Sequence, residues 1–321
     1  MSKLNVPNMS PTLGWKVASR LYGVDRIHRI QGGLANQMFQ YAHAWALQHR
    51  HPARTFIDTS RYEVSSTDRA YRIEDVFEMP DKLPHLPVSA GRWIKSFGLD
   101  RSNRSEESTI ELKESFIEND LRGVVQGYFP SFKYVAAIEP MIRRNFRFKR
   151  LIPERNQALM EELQDGNGVA VHVRRGDYLN PENKNDFYGM CTPAYYRAAA
   201  RHLKALRPAA RLYFFSDDPE WCRQEFTDVA HYVVDGNVGE DAWADMALIS
   251  LCRDSIIANS SYSLWARWLS GSDDGINIAP ARFLNNGAYG AKTDDILPSS
   301  FIRMDEHGVA RKGEANERPA T

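Results

Sequence analysis

The sequence predicts an α/β protein of two doubly wound domains, and three observations carry that prediction. From Gly168 onward, short apolar runs alternate with helical stretches of about ten residues or more, a rhythm that implies parallel strands joined by right-handed crossovers. Near the start, an apolar run at 27–30, the pair Gly32-Gly33, an apolar helical stripe and Thr55-Phe56-Ile57-Asp58 spell the same strand, turn, helix, strand unit. The length of 321 residues, 43% of them hydrophobic, supplies two cores of ordinary size. The domains are predicted over 1–152 and 153–302, followed by a polar, unstructured tail over 303–321.

Each element follows from local chemistry. Residues up to Gly23 read as a polar lead into the first strand. Met38, Tyr41, Ala42 and Trp45 fall at i, i+3, i+4 and i+7, which is one apolar stripe of a helix. Residues 58–120 mix prolines and charges without a period, and no topology can be read from them. The valine-rich run 168–171 is continuous, as a strand buried on both faces must be. Thr192 caps a helix that opens on Pro193 and runs to Leu206. A strand is predicted over 212–215, and a helix begins at Pro219 with Asp217 as its cap. Strands at 231–234, 256–258 and 276–278 alternate with helices at 241–252 and from the Asn259-Ser260-Ser261 turn to Leu269.

Charge and cysteine usage exclude several classes. Forty-one basic and 41 acidic side chains leave no net charge, against a broad nucleic-acid footprint, which needs a clustered basic excess. The basic group Arg143, Arg144, Arg147, Lys149 and Arg150 reads as a solvated helix end and linker, with weak docking to an anionic membrane surface as the minor alternative. No apolar stretch approaches the roughly 20 residues a spanning helix needs. Cys191, Cys222 and Cys252 are odd in number and far apart, which fits free thiols in a reducing cytoplasm.

The densest chemistry lies in Val171-His172-Val173-Arg174-Arg175-Gly176-Asp177-Tyr178. Two guanidiniums and a carboxylate follow a buried strand, and the carboxyl end of such a strand is where α/β sheets place ligands. A guanidinium is always charged and presents a planar fork of donors suited to phosphate oxygens, so a diphosphate is the natural partner. The plainer alternative is an internal ion pair of Arg174 or Arg175 with Asp177. The Gly32-Gly33 turn allows close backbone approach, but with neither a Gly-x-Gly-x-x-Gly nor a Walker signature it reads equally as an unliganded turn. Asn259, Ser260, Ser261, Tyr262 and Ser263 stand between a strand and a helix N-terminus, a place for phosphate or for a simple cap.

Four stretches in one order, Gly32-Gly33-Leu34-Ala35-Asn36-Gln37, His172-Val173-Arg174-Arg175-Gly176-Asp177-Tyr178, Phe215-Ser216-Asp217-Asp218 and Ile256 to Trp268 preceded by Asp245, resemble the GDP-fucose-dependent α-1,2-fucosyltransferases of glycosyltransferase family 11. Gly127-Tyr128-Phe129 followed by Lys133-Tyr134 adds a weaker match. The resemblance implies a GT-B fold, two Rossmann-like domains facing a central cleft, with the acceptor on the N-terminal side and GDP-fucose on the other. It implies donor contacts from Gly32, Gly33, Asn36, Gln37, His172, Arg174, Arg175, Asp218, Asn259, Ser260, Ser261, Tyr262 and Ser263. In that scheme His172 lies by the guanine, Arg174 holds the diphosphate and Asp218 takes the guanine edge. Arg174, Asp177 and Glu182 are the catalytic candidates, the last two competing for the role of base. The chain departs from the family at Ala35, Leu264 and Arg253-Asp254.

The reaction this implies is inverting transfer of L-fucose from GDP-β-L-fucose to the 2-hydroxyl of a galactose that terminates an oligosaccharide. No two aspartates are separated by one residue, so the Asp-x-Asp metal element is missing and the expectation is catalysis without a metal or other cofactor. A cytoplasmic enzyme is expected. Two alternatives stay open: a fucosyltransferase of another linkage such as α-1,6, and a non-catalytic module that binds a nucleotide sugar or a glycan.

Overall fold

A computed structural model of the protein describes residues 11–64, 70–96, 98–102, 104–107, 112–179, 191–272, 274–283 and 293–312. The chain divides into two compact units, Met1–Arg147 and Phe148–Thr321, each an α/β unit built on a parallel sheet. The division falls a few residues ahead of the predicted boundary at 152.

In unit 1 the strands β1 (Arg26–Arg29), β2 (Thr55–Asp58), β3 (Arg104–Glu106) and β4 (Gly123–Gln126) lie in the order β2-β1-β4-β3, all parallel. Among the helices that flank them are α1 (Pro11–Tyr22) and α2 (Leu34–Arg50). Residues Pro11–Tyr22 thus form a helix where the sequence predicts a polar lead. Trp15 explains the difference, since it is buried and its indole Nε1 donates to the Asp25 carbonyl. Helix α2 carries the stripe Met38, Tyr41, Ala42 and Trp45 into the core, all almost wholly buried.

In unit 2 the strands are β5 (Gly168–Val173), β6 (Arg211–Ser216), β7 (His231–Val234), β8 (Asp254–Ile256), β9 (Asn277–Pro280), β10 (Ile302–Met304) and β11 (Ala310–Lys312). Their order is β11-β10-β9-β8-β5-β6-β7, parallel throughout except for the antiparallel pair β10 and β11. From β5 the chain winds outward through β6 and β7, then returns to the other side of β5 and winds outward again through β8 and β9. The carboxyl ends of β5 and β8 therefore mark the topological switch point of the sheet, the crevice where such folds bind ligands.

Helices α3 (Pro193–Leu206), α4 (Pro219–Glu225), α5 (Trp243–Leu251) and α6 (Ser261–Leu269) cover this sheet. Thr192 accepts from the Tyr195 amide as the predicted cap of α3. Val171, Leu212, Phe214, Ile256 and Ile278 bury their side chains in one core with Tyr196 and Leu203, at roughly 2 kcal/mol for each large apolar side chain. The tail is a correction: strands β10 and β11 occupy positions predicted to be unstructured from 303. Met304 is buried in the same core, so the segment has an apolar anchor that its polar composition hides.

The basic cluster is engaged locally. Arg143 pairs with Glu139, Arg144 with Asp81 and Arg147 with Glu78, while Arg150 lies over the Trp243 ring. Among the described residues no helix is long and apolar enough to cross a membrane.

Candidate functional site

Strand register explains how the charges converge. β5 and β6 are parallel with Val173 opposite Ser216, so the next residues, Arg174 and Arg175, emerge beside Asp217 and Asp218. Arg174 Nη1 lies 2.7 Å from Asp217 Oδ2, and Arg175 Nε donates to Asp218 Oδ2 at 3.0 Å. Asp217 also accepts the Arg175 amide at 2.9 Å. The Arg175 guanidinium lies flat over Trp221, 3.8 Å from the ring centre. Gly176 completes the fit, because a Cβ there would stand 2.4 Å from Asp217 Oδ2. Arg174 and Arg175 thus pair with the two aspartates that follow β6.

This reverses the predicted roles of the two aspartates in part. Asp218, not Asp217, caps α4: its Oδ1 accepts from the Trp221 amide at 3.3 Å. Asp217 instead orients Arg174, with its side chain fixed from two directions. A carboxylate has about four lone-pair positions, so Asp218 keeps capacity for a further donor beside its cap and its arginine.

His172 ends the buried part of β5. Burial first, and the positive charge of Arg174 second, lower its pKa to about 3, so the ring is neutral. It stacks on Tyr262, ring centres 5.6 Å apart, and Nδ1 has no hydrogen-bond partner within the described structure. An orphaned buried nitrogen at a switch point is a vacancy for a ligand's donor or acceptor. Tyr262 is held by its hydroxyl, which accepts from the Met246 amide at 2.7 Å and donates to the Ala242 carbonyl.

The turn after β8 meets the same place. Tyr178 donates to the Asn259 carbonyl at 3.0 Å, tying the residues after β5 to those after β8. Ser260 caps α6 by accepting the Tyr262 amide. Ser263 is a correction: it is wholly buried and its hydroxyl is spent on the Ser260 carbonyl, so it packs the turn and cannot meet a diphosphate. Asn259 is also inward, its Oδ1 accepting from the Cys191 thiol at 3.5 Å.

One residue was noticed in the sequence without being given a role. Asp245 sits in the first turn of α5, close enough to Tyr262 for its charge to raise the tyrosine's pKa. Burial pushes the Asp245 carboxyl up to about 7, against the lowering effects of an Asn237 hydrogen bond at 2.7 Å and the Arg155 charge. Asn237 is braced in turn by Asn156 at 2.6 Å and Arg155 at 3.2 Å. The signal available in the sequence was a lone acid in the otherwise apolar stretch Trp243–Leu251.

The Gly32 loop belongs to unit 1 and is described there alone. Gly32 has φ +81, and a Cβ would approach Asn36 Nδ2 to 2.8 Å. Gly33, not Asn36, is the residue before the helix. Gln37 is a second correction: its amide donates to the Gly32 and Ala70 carbonyls and accepts from the Arg72 and Ile73 amides. All four of its valences are used and it is wholly buried, so it braces the loop and has nothing left for a sugar. Asp177 lies in the short 3-10 turn Gly176–Leu179, and Glu182 falls outside the described residues.

Unit 2 therefore presents two oriented guanidiniums, a neutral histidine stacked on tyrosine, a partly buried carboxylate and a helix N-terminus at one sheet edge. That set suits a nucleoside diphosphate, with anion recognition next to an apolar, hydrogen-bonding slot. Comparison with known proteins agrees in kind. The sequence profile of glycosyl transferase family 11 matches residues 122–299. An α-1,2-colitosyltransferase of Escherichia coli is 29% identical over 296 residues, covering 87% of this chain and 99% of that protein. A galactoside α-(1,2)-fucosyltransferase 1 of Pan troglodytes is 27% identical over 253 residues, covering 75% of this chain and 64% of that protein. The crystal structure of the fucosyltransferase NodZ from Bradyrhizobium is similar at a TM-score of 0.47 and 18% identity, covering 75% of this chain and 92% of that one. Since the matched region takes in more than half of the chain and the whole arginine, aspartate and serine edge of unit 2, the protein belongs to glycosyl transferase family 11 and is a glycosyltransferase.

Proposed function

We propose that the protein transfers L-fucose from GDP-β-L-fucose to the 2-hydroxyl of a terminal galactose, with inversion and without a metal. The observation that carries this reading is the pairing of Arg174 with Asp217 and of Arg175 with Asp218 beside the orphaned Nδ1 of His172. As the bond from the sugar to the diphosphate breaks, charge grows on the departing phosphate, and a guanidinium already aimed by Asp217 stabilises it without reorganising. Arg174 has that task in the proposal, supported by Arg175, Ser260, Ser261 and the amides of α6. The acceptor hydroxyl adds to the anomeric carbon from the opposite face and gives its proton to a carboxylate, for which Asp177 and Glu182 are the candidates.

The base needs a carboxylate to select guanine, whose N1 and N2 both donate. Asp218 and Asp245 are the two candidates. Asp245 is favoured because, among the described residues, Asn237 alone meets it with a side-chain hydrogen bond, whereas Asp218 already serves a cap and an arginine. The test of the whole reading is GDP-fucose incubated with a panel of galactosides, followed by linkage analysis. GDP release and an α-1,2 product support it; an α-1,6 product replaces the linkage, and GDP binding without release with any acceptor favours the non-catalytic module.

A second donor has a specific observation behind it, the resemblance to an α-1,2-colitosyltransferase along nearly its full length. Colitose is fucose without the 3-hydroxyl. Comparing kcat/KM for GDP-fucose and GDP-colitose separates the two, since a site built to hydrogen-bond that hydroxyl rejects the sugar lacking it.

A further inference from the structure

The carboxyl edge of the sheet in unit 1 carries a second set of features that the donor chemistry does not use. Four side chains form a continuous row across the strand ends: Asp58 accepts from Arg29 Nε at 3.0 Å, Arg29 Nη1 donates to Gln126 Oε1 at 2.9 Å, and Gln126 Nε2 donates to Glu106 Oε1 at 3.1 Å. Arg104 balances Glu106 at 3.0 Å, so two carboxylates face two guanidiniums. The row offers no excess positive charge to a phosphate. Its planar donors and acceptors suit neutral hydroxyl groups.

Two residues beyond Gln126 stands Tyr128, 42% exposed, on a turn that is held from beneath with unusual force. Phe129 next to it has φ +47, a left-handed conformation that strains a bulky residue. Its ring is wholly buried and lies parallel to His43 at 3.8 Å. Glu107, itself buried, accepts the Tyr128 amide at 2.9 Å and the Phe129 amide at 2.7 Å, and the Tyr134 hydroxyl at 3.0 Å. Gly127 closes the arrangement, since a Cβ there would come within 2.6 Å of Glu107. Strain of this kind persists only where surrounding structure over-determines it, and it gathers at ligand sites. What all this fixes in space is an exposed aromatic face beside a row of polar side chains.

We propose that Tyr128 is the platform on which the acceptor's pyranose ring stacks, with Glu106, whose carboxylate stands at the exposed end of the row, taking its hydroxyls. The C–H bonds on one face of a pyranose carry partial positive charge and meet the negative face of the phenol ring, while the equatorial hydroxyls reach the polar row. Tyr128 thereby sets acceptor affinity and takes no part in holding the nucleotide. The assignment rests on the proposed transfer to a glycan, and its test is separable from that reading.

The experiment uses the full chain, with lactose, N-acetyllactosamine, maltose and methyl α-mannoside as probes, followed by saturation-transfer NMR and calorimetry. Because Tyr128 is exposed, its replacement leaves the fold in place. Tyr128→Ala is expected to weaken binding of whichever sugar the wild type binds by about tenfold, and Tyr128→Phe to keep it within about threefold. GDP affinity should be unchanged in both, and in turnover the acceptor KM should rise while kcat holds. Binding by Tyr128→Ala equal to wild type, a Phe variant as weak as Ala, or a wild type that binds none of the four sugars each overturns the proposal. Tyrosine-dependent binding of maltose or the mannoside alone upholds the platform and removes the galactose reading.

Discussion

Replacing Asp245 by asparagine should make the free protein more stable and the nucleotide complex weaker. Burial raises the Asp245 carboxyl from 3.8 to about 7, so the folded protein holds that proton more tightly than the unfolded chain does. A raised folded value means the contribution is full below the unfolded value and is lost as pH climbs through the folded one, here between about 4 and about 7. Three units at 1.36 kcal/mol each set an upper bound of about 4 kcal/mol, and partial solvent contact of the residue brings the working figure to about 2 kcal/mol. Asparagine has no proton to lose and can still meet Asn237, so its advantage grows from about pH 4 to about pH 7 and then levels off. Denaturant titrations of both proteins across that range, read by tryptophan fluorescence, give the slopes. Calorimetry with GDP and ADP gives the function: the variant should lose about 1–3 kcal/mol with GDP and narrow its preference over ADP. Equal pH slopes for the two proteins would refute the burial argument, and an unchanged GDP to ADP ratio would remove Asp245 from the base site.

Arg174→Lys should fold normally and lose about 10²-fold in kcat with GDP-fucose, because a point ammonium cannot reproduce the fork that Asp217 aims; near wild-type turnover would withdraw the leaving-group role. Asp218→Ala removes a helix cap and should cost about 1 kcal/mol in unfolding free energy. If Asp218 also serves guanine, its GDP to ADP ratio falls as well, and an unchanged ratio confines it to the cap. Activity should survive excess EDTA; loss that manganese or magnesium restores would overturn metal-free catalysis. Glu107→Gln should lessen the fall in stability between about pH 4.5 and pH 7 and leave the part due to Asp245, since burial lifts the Glu107 carboxyl to about 7 and the folded state loses its advantage as the proton leaves; a slope equal to wild type would refute it.

The C-terminal sheet was legible from β5 to β9, where short runs with apolar residues alternate with helices, two of them opened by caps that sequence chemistry specifies, and was not legible at β10 and β11. Thr192 and Ser260 cap their helices, as the sequence predicts for those turns. Strands β3 and β4 were not legible, since Arg104–Glu106 is three polar residues and Gly123–Gln126 is only four, too few to show a period. At the site, the arginines were visible as a motif, but which aspartate meets which arginine depends on the register of two strands some 40 residues apart. Counting equal steps past Val173 and Ser216 would have found it, had the register been known. Gln37 and Ser263 misled for a common reason: a polar side chain beside a turn looks the same in sequence whether it serves a ligand or the turn itself.

Strand β11 runs antiparallel beside β10 and so ends the long sheet with a short strand. Natural sheets guard their rims in this way, because an unpaired row of amides and carbonyls invites another chain to add on. Cutting the protein where its composition turns polar would strip away β10 and β11 together. The bare rim left behind would be β9, whose Ile278, Ala279 and Pro280 are buried in the intact fold. Such a shortened chain would keep every residue of the nucleotide edge and still be prone to self-association, so a fusion partner is better joined beyond Lys312 than in place of the hairpin.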